Sequence, residues 1–283
     1  MKKLPVFATV SEALKGAFAH FGTMVRLVWL PGSIYIGISI LVGWMDITSQ
    51  VDFGDEISMT DFAGSGASSW AALLNFASIF LWPMIAIAWH RFVILGEDNG
   101  LYWRFKAREW KFLGANLVVF APYLAFIVLV VLVMFAMNGT DMGLAEMGER
   151  GPMGMADNPM LQTSFAILFI VGFFAATYYA VRLILLLPAM AVDQPFDPSA
   201  ILAATKGNFW RLSFTFFWLT IAVLILYVLV GITFFISPIV TIALAPVVVI
   251  FAQITGVAVL SIAYRELVGA PGLPAATGEM HTD

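Results

Sequence analysis

The chain has 283 residues, of which 61% are hydrophobic and only 11% are charged, with a net charge of −4. Soluble domains carry about 25% charged residues, so a water-soluble globular fold is excluded, because polar side chains could not cover its surface. The sequence has no cysteine, which excludes disulfides, thiolate metal sites and cysteine nucleophiles. We expect neither a cofactor nor a nucleic-acid partner.

The N-terminal segment near 7–23 predicts a helix that lies on the membrane surface. Apolar residues recur every three or four positions there and form one stripe. These residues are Phe7, Val10, Leu14, Phe18 and Phe21. Thr9 and Glu12 have the spacing of a capping box, which predicts that the helix begins at Thr9.

Six apolar stretches are long enough to cross a bilayer core about 30 Å thick, which takes roughly 20 helical residues. They lie at 25–44, 70–94, 112–137, 161–190, 212–236 and 239–264. The uncharged run from Leu212 to Tyr264 is too long for one helix, and Ser237-Pro238 predicts its turn, because proline disfavours helix at the preceding residue. We predict an all-α membrane domain over 1–268, followed by a disordered cytoplasmic tail over 269–283.

The basic residues predict the orientation of these spans. Every lysine and arginine except Arg150 falls on one side of the predicted membrane. Because basic loops stay in the cytoplasm, both termini are predicted to be cytoplasmic.

The six spans form three helical hairpins with a similar pattern at the cytoplasmic side. A basic residue lies at the start of each outgoing span, at Arg26, Lys111 and Arg211, and another lies near the inner end of each returning span, at Arg91, Arg182 and Arg265. Segments 99–111 and 198–208 predict two further surface helices, and Asp197 and Pro198 suit the N-cap and first position of the latter. Either a threefold structural repeat or the common rules for membrane interfaces explains the pattern.

These six basic residues are candidate contacts for anionic lipid headgroups. Arg182 is the most informative of them, because the apolar sequence LILLLPAMAV follows it. A charged side chain in the hydrocarbon is costly unless it reaches the headgroups, so Arg182 should mark the inner headgroup level. The apolar segment beyond it then needs cover, which predicts a collar in which helix ends pack against the surface helices and the arginines bind lipid phosphate or helix-end carbonyls.

Polar side chains within the spans are the candidate intramembrane contacts. Asn75, Asn116 and Gln253 are amides that need hydrogen-bond partners in hydrocarbon. Packing contacts and contacts to a substrate are both open. No acidic residue lies inside a predicted span, and no protease, hydrolase or nucleotide-binding motif is present, so we expect no enzymatic activity.

The segment LPAMAVDQPFDPSAILAATKGNFWRLSF at 187–214 is the most distinctive stretch. Its Pro188, Asp193, Thr205, Gly207 and the Phe209-Trp210-Arg211 run resemble a signature of bacterial six-helix membrane proteins related to the membrane domain of glycerophosphoryl diester phosphodiesterases. Catalysis in the enzyme members of that family lies in a separate soluble domain, so the resemblance implies a location in the bacterial inner membrane but no catalytic residues here.

Two functions follow as hypotheses. The first is a non-enzymatic accessory or scaffold protein that interacts with membrane lipids, above all anionic ones, or with a membrane protein partner. The second is a transporter or channel for a small or lipidic solute. A continuous polar pathway lined by Gln253, Asn116 and threonines would favour transport, and its absence would favour the scaffold.

Overall fold

The computed structural model describes residues 2–50, 66–98, 106–138 and 159–269, and the regular secondary structure in these ranges is α-helical, as predicted. The helices are α1 Val6–Ala19, α2 Phe21–Gln50, α3 Gly66–Leu95, α4 Ala107–Asn138, α5 Pro159–Leu183, α6 Leu186–Ala191, α7 Pro198–Ala204, α8 Phe209–Thr233 and α9 Pro238–Leu267. Of the predicted disordered tail 269–283, residues 270–283 lie outside the described residues.

Five apolar segments of the described ranges are long enough and hydrophobic enough to cross a membrane. They lie in α2, α4, α5 with α6, α8 and α9. Helix α3 is also 30 residues long, and it contributes the shorter apolar stretch Ile79–Leu95. The chain therefore has the helices of a polytopic membrane protein.

The six long helices form a closed ring in chain order. Each packs against the next, from α2 through α3, α4, α5 and α8 to α9, and α9 packs back against α2. Helix α9 also packs against α3, so these two helices are in contact across the ring. The short helix α6 contacts α3, α4 and α9 and fills the centre of the ring at one end.

The buried core occupies this end of the ring, which we call the basic end because Arg91, Arg182 and Arg265 lie there. Trp89, Phe112, Leu186, Ile254 and their neighbours are almost inaccessible to solvent. In the other half, apolar side chains face outward on α4, α5 and α8. Among them are Leu132, Val171, Leu224 and Val228. Such a surface is stable only in hydrocarbon.

Several predicted boundaries are corrected by the structure. The fourth stretch, predicted as one span over 161–190, is broken after Leu183 into α5 and α6. Residues 107–111 belong to the first turns of α4 rather than to a separate surface helix, and 99–105 lie outside the described residues. The turn at Ser237 is confirmed, since Ser237 is the N-cap residue of α9 and Pro238 its first residue.

The N-terminal helix begins earlier than its capping-box pattern indicates. Helix α1 starts at Val6 with Pro5 as its N-cap residue and without a side-chain cap. The Thr9 hydroxyl donates a hydrogen bond to the carbonyl of Pro5 at 2.9 Å, so Thr9 lies inside the first turns. The prediction that Thr9 and Glu12 start the helix is wrong, because proline at the boundary fixes an earlier start.

Candidate functional site

Helix α1 buries a face of small residues instead of its phenylalanines. Ala13 and Ala17 are buried against α8 and α9, together with Val10, whereas Phe7 is 68% exposed and Phe18 is 66% exposed. Small side chains allow close helix packing, and exposed aromatic rings suit the hydrocarbon boundary. The predicted apolar stripe therefore exists, and its phenylalanines lie at the edge of the packed face, with ring centroids 5.4 Å apart for Phe7 and Trp218 and 5.2 Å apart for Phe18 and Phe251.

The N-terminal residues form hydrogen bonds with the junction of α7 and α8. The Asn208 carboxamide accepts a hydrogen bond from the Leu4 amide at 3.1 Å and donates one to the Lys2 carbonyl at 3.0 Å. Arg211 donates to the Leu4 carbonyl at 3.0 Å, and the Lys2 ammonium lies 2.7 Å from the Glu266 carboxylate. Arg211, predicted as a headgroup contact, is therefore engaged with the backbone of the N-terminus.

Arg91 is the buried centre of an ion cluster that joins α3 to α6. Its side chain binds both carboxylate oxygens of Glu97, at 2.8 and 2.6 Å. Its remaining terminal nitrogen donates to the Ala191 carbonyl at 3.2 Å and to Asp193 at 2.8 Å. The residue is only 9% exposed, so the geometry favours a structural role, including the helix-end carbonyl contact that the collar requires.

Asp193 extends this cluster to the beginning of α4. Arg108 donates two hydrogen bonds to its carboxylate, at 2.8 and 2.7 Å. These bonds, and the nearby charge of Arg108 and Arg91, hold the pKa of Asp193 below its ordinary value of 3.8 against the opposing effect of desolvation. Asp193 also has a φ of +58°, which short polar residues tolerate better than others.

Arg182 binds the end of a helix. Its guanidinium donates to the Leu202 carbonyl in the last turn of α7 and to the hydroxyls of Thr205, at 3.3 Å, and Tyr178, at 3.0 Å. Carbonyls at a helix C-terminus lack intrahelical partners and carry partial negative charge, so a cation is favourable there. The apolar segment after Arg182 is buried from Leu185 to Val192, but α6 is covered mainly by α3, α4 and α9 rather than by the surface helices that the sequence predicts as its cover.

The remaining three basic candidates are more open to solvent. Arg265 donates to Glu12 on α1 at 2.5 Å. Arg26 forms an ion pair with Asp98, and both side chains are largely exposed. Lys111 is exposed on the first turns of α4. Lys111 is therefore more open to a headgroup than Arg91 or Arg182.

A cavity of about 740 Å³ lies between α2, α3, α4 and α9. Its lining consists of Tyr35, Ile79, Phe80, Trp82, Ile85, Trp110, Leu113, Gly114, Asn116, Leu117, Phe120, Val249, Ile250 and Gln253. The walls are mainly apolar and aromatic, and none of these residues is charged. We call this space the amide cavity because Asn116 and Gln253, from opposite helices, both line it.

The two amides of the cavity differ in their hydrogen bonds. Asn116 donates to the Phe112 carbonyl of its own helix at 3.0 Å. Gln253 is exposed in the cavity, and among the described residues its carboxamide has no hydrogen-bond partner. Asn75, the third predicted amide, belongs to α3, but its side chain lies outside the described side chains.

No continuous polar pathway leads from the amide cavity to the basic end through the described residues. Below the cavity, α3, α4 and α9 pack together and against α6 through buried residues such as Trp89, Phe112 and Ile254. The hydroxyls of Thr215 and Thr255 donate to carbonyls of their own helices, so they do not line a channel. Among the described residues, none of the charged groups of the basic end lines the cavity.

Sequence reasoning did not identify the partners that engage the arginines. Arg108 and Asn208 bind residues that are far from them in the chain, so only the fold brings these groups together, whereas Glu97 is only six residues from Arg91. A signal for the cluster was present, since Asp193 belongs to the distinctive 187–214 motif. Comparison of the chain with protein-family models, with curated proteins and with solved structures finds no match.

Proposed function

We propose that the chain is a six-span membrane protein of the bacterial inner membrane with both termini in the cytoplasm. The closed ring of six long helices supports six spans, and the concentration of basic residues at the end filled by α6 supports the orientation. Reporter fusions at Gly64 and Gly154 should report an external location, and a fusion after Asp283 a cytoplasmic one. An external C-terminus would contradict the orientation.

Within this topology, the protein acts as a non-enzymatic accessory protein that binds lipids and organises them or a membrane protein partner. The observation that carries this proposal is the packed basic end, where α6 and the buried core fill the ring. Among the described residues, this architecture offers a cavity that can hold a molecule from the bilayer but no continuous polar route.

The test combines lipid retention with solute flux. The purified protein in mild detergent should retain membrane lipids that mass spectrometry detects, and liposomes containing it should be no more permeable to small ions and sugars than empty liposomes. Protein-dependent flux of a polar solute would overturn the accessory role.

We expect the exposed lysines to bind the anionic lipid, because the side chains of the buried arginines already bind other groups of the protein. Lys106 and Lys111 flank the start of α4 and are exposed. Each basic residue near the membrane surface contributes about 1 kcal/mol to attraction of anionic lipid. The double variant Lys106→Gln/Lys111→Gln should therefore retain less phosphatidylglycerol, whereas phosphatidylcholine retention should not change. Lys206→Gln, a single neutralisation after α7, should reduce phosphatidylglycerol retention by about half as much as the double variant.

Transport of a lipidic solute is the second candidate, and the meeting of Asn116 and Gln253 in one cavity favours it. Arg182→Leu separates the two functions. In an accessory protein this variant loosens α7 and lowers thermal stability, because the Leu202 carbonyl loses its cation. A variant that remains folded but loses solute uptake would instead support transport.

The three hairpins also support a repeat with cyclic packing. The surface helix α1 packs against the third hairpin, α8 and α9, and α7 packs against α5 of the second hairpin. Correspondingly, Arg265 binds α1 and Arg182 binds α7. We propose that the chain is built from three hairpin repeats and that the 187–214 motif reflects kinship with the membrane domain of glycerophosphoryl diester phosphodiesterases.

A further inference from the structure

We propose that the amide cavity binds an uncharged glycerolipid, diacylglycerol, whose oxygens form hydrogen bonds with Gln253 and Asn116. This inference rests on the proposed lipid-binding function and names the class of lipid at one site.

The depth of the two amides favours a lipid without a charged headgroup. Gln253 precedes Arg265 by twelve residues, which corresponds to about 18 Å along α9. Asn116 follows Lys111, the exposed lysine in the first turns of α4, by only five residues, or about 8 Å. In a hydrocarbon core about 30 Å thick, Gln253 is therefore near the middle of the bilayer, and Asn116 lies closer to the basic end. A phosphate group at the level of Gln253 would lose its hydration, and none of the described residues that line the cavity is charged.

The hydrogen-bonding capacity of the cavity requires both a donor and an acceptor from the ligand. A carboxamide presents one carbonyl acceptor and two N–H donors, and both groups of Gln253 are without a partner among the described residues. An unpaired amide in hydrocarbon costs several kcal/mol. Diacylglycerol has a hydroxyl that donates and ester carbonyls that accept, whereas a quinone supplies acceptors alone.

The cavity walls suit acyl chains that enter from the bilayer. Phe80 of α3 and Trp110 of α4 have ring centroids 6.4 Å apart, and they join the two helices at the wall of the cavity. Trp110, Leu117 and Phe120 are more than half exposed, so the lining continues into the lipid-facing surface. A volume of about 740 Å³ lies within the range of roughly 300–1,000 Å³ typical of sites for small organic ligands.

A matched pair of glycine substitutions tests the site. A Cβ at Gly114 or at Gly231 meets no atom within 4 Å, so both helices accept a leucine there. Gly114 lines the amide cavity, whereas Gly231 lies near the far end of α8. Gly114→Leu should fill the cavity and reduce diacylglycerol binding to background, and Gly231→Leu should leave it unchanged.

The measurement is photolabelling of the full chain in phosphatidylcholine–phosphatidylglycerol vesicles with a photoactivatable diacylglycerol. Labelled peptides should come from α4 and α9, and unlabelled diacylglycerol should displace the probe. Gln253→Leu keeps the side-chain size and should weaken this displacement about three- to tenfold, the loss of one neutral hydrogen bond. Thr220→Val removes a lipid-exposed hydroxyl outside the cavity and should have no effect.

Three outcomes would overturn the proposal. The first is that a phosphatidylglycerol probe labels the same peptides equally well. The second is that a quinone probe labels them and diacylglycerol does not displace it. The third is that neither Gly114→Leu nor Gln253→Leu alters labelling by diacylglycerol. Each of these leaves the retained phospholipid and the liposome permeability unchanged. The general lipid-binding function fails separately, through flux of a polar solute.

Discussion

The two ends of the helix ring are built on different principles. At the basic end, buried apolar residues and an ion cluster tie α1, α3, α6, α8 and α9 into one body. In the other half, α4, α5 and α8 display apolar side chains outward. The comparison teaches that packing within the protein determines the first region, whereas the surrounding hydrocarbon must supply the contacts of the second.

The largest expected difference in stability is between substitutions of two leucines of α8. Leu212 is 1% exposed at the basic end, whereas Leu224 is 58% exposed in the other half. Leu212→Ala should destabilise the protein by about 3–4 kcal/mol, because it creates a cavity in a packed core. Leu224→Ala should change stability by less than about 0.5 kcal/mol. Thermal unfolding in detergent measures both, and equal effects would remove the distinction between the two ends.

A smaller effect is expected from the buried arginine. Arg91→Leu leaves Glu97, Asp193 and the Ala191 carbonyl without their shared donor. We expect the free energy of unfolding to fall by about 3 kcal/mol. This value is at the low end for a broken buried ion pair, because both carboxylates remain partly open to water. Arg26→Leu removes only an exposed ion pair and should cost less than about 1 kcal/mol. A result in which Arg26→Leu is as damaging as Arg91→Leu would contradict the structural role of the cluster.

The smallest expected effect is the pH dependence of stability. Because Arg108 holds the folded-state pKa of Asp193 below 3.8, the cluster contributes stability above the unfolded pKa and loses it as the pH falls through the folded pKa. Asp193 is 53% exposed, so solvent screening limits the contribution to about 1 kcal/mol or less. The thermal midpoint of the wild-type protein should fall between pH 5 and pH 3. The thermal midpoint of Asp193→Asn should be lower than that of the wild-type protein at pH 5, and it should fall less between pH 5 and pH 3. If the two proteins have the same pH profile, the stability of the cluster does not depend on this carboxylate.

Particular residues show how far the sequence predicted the fold. The long uncharged runs and Ser237-Pro238 predicted the helical class and the last turn, because hydrophobic length and proline geometry act locally. Asp197 and Pro198 likewise predicted the start of α7, where the Asp197 carboxylate accepts a hydrogen bond from the Ala200 amide at 3.0 Å. The division of α5 from α6 was missed, since the sequence remains apolar across the break and periodicity does not mark it.

By itself, the sequence determined that the chain belongs to the helical membrane class, where α7 and α9 begin, and which basic and amide residues required partners. It could do so because hydropathy, capping and charge act over a few residues. Only the tertiary structure decided which partners these residues have, since Asn208 meets Leu4, Arg91 meets Asp193, and Asn116 shares a cavity with Gln253 across distant parts of the chain. Such pairings depend on the order in which the helices close the ring, and no local pattern encodes that order.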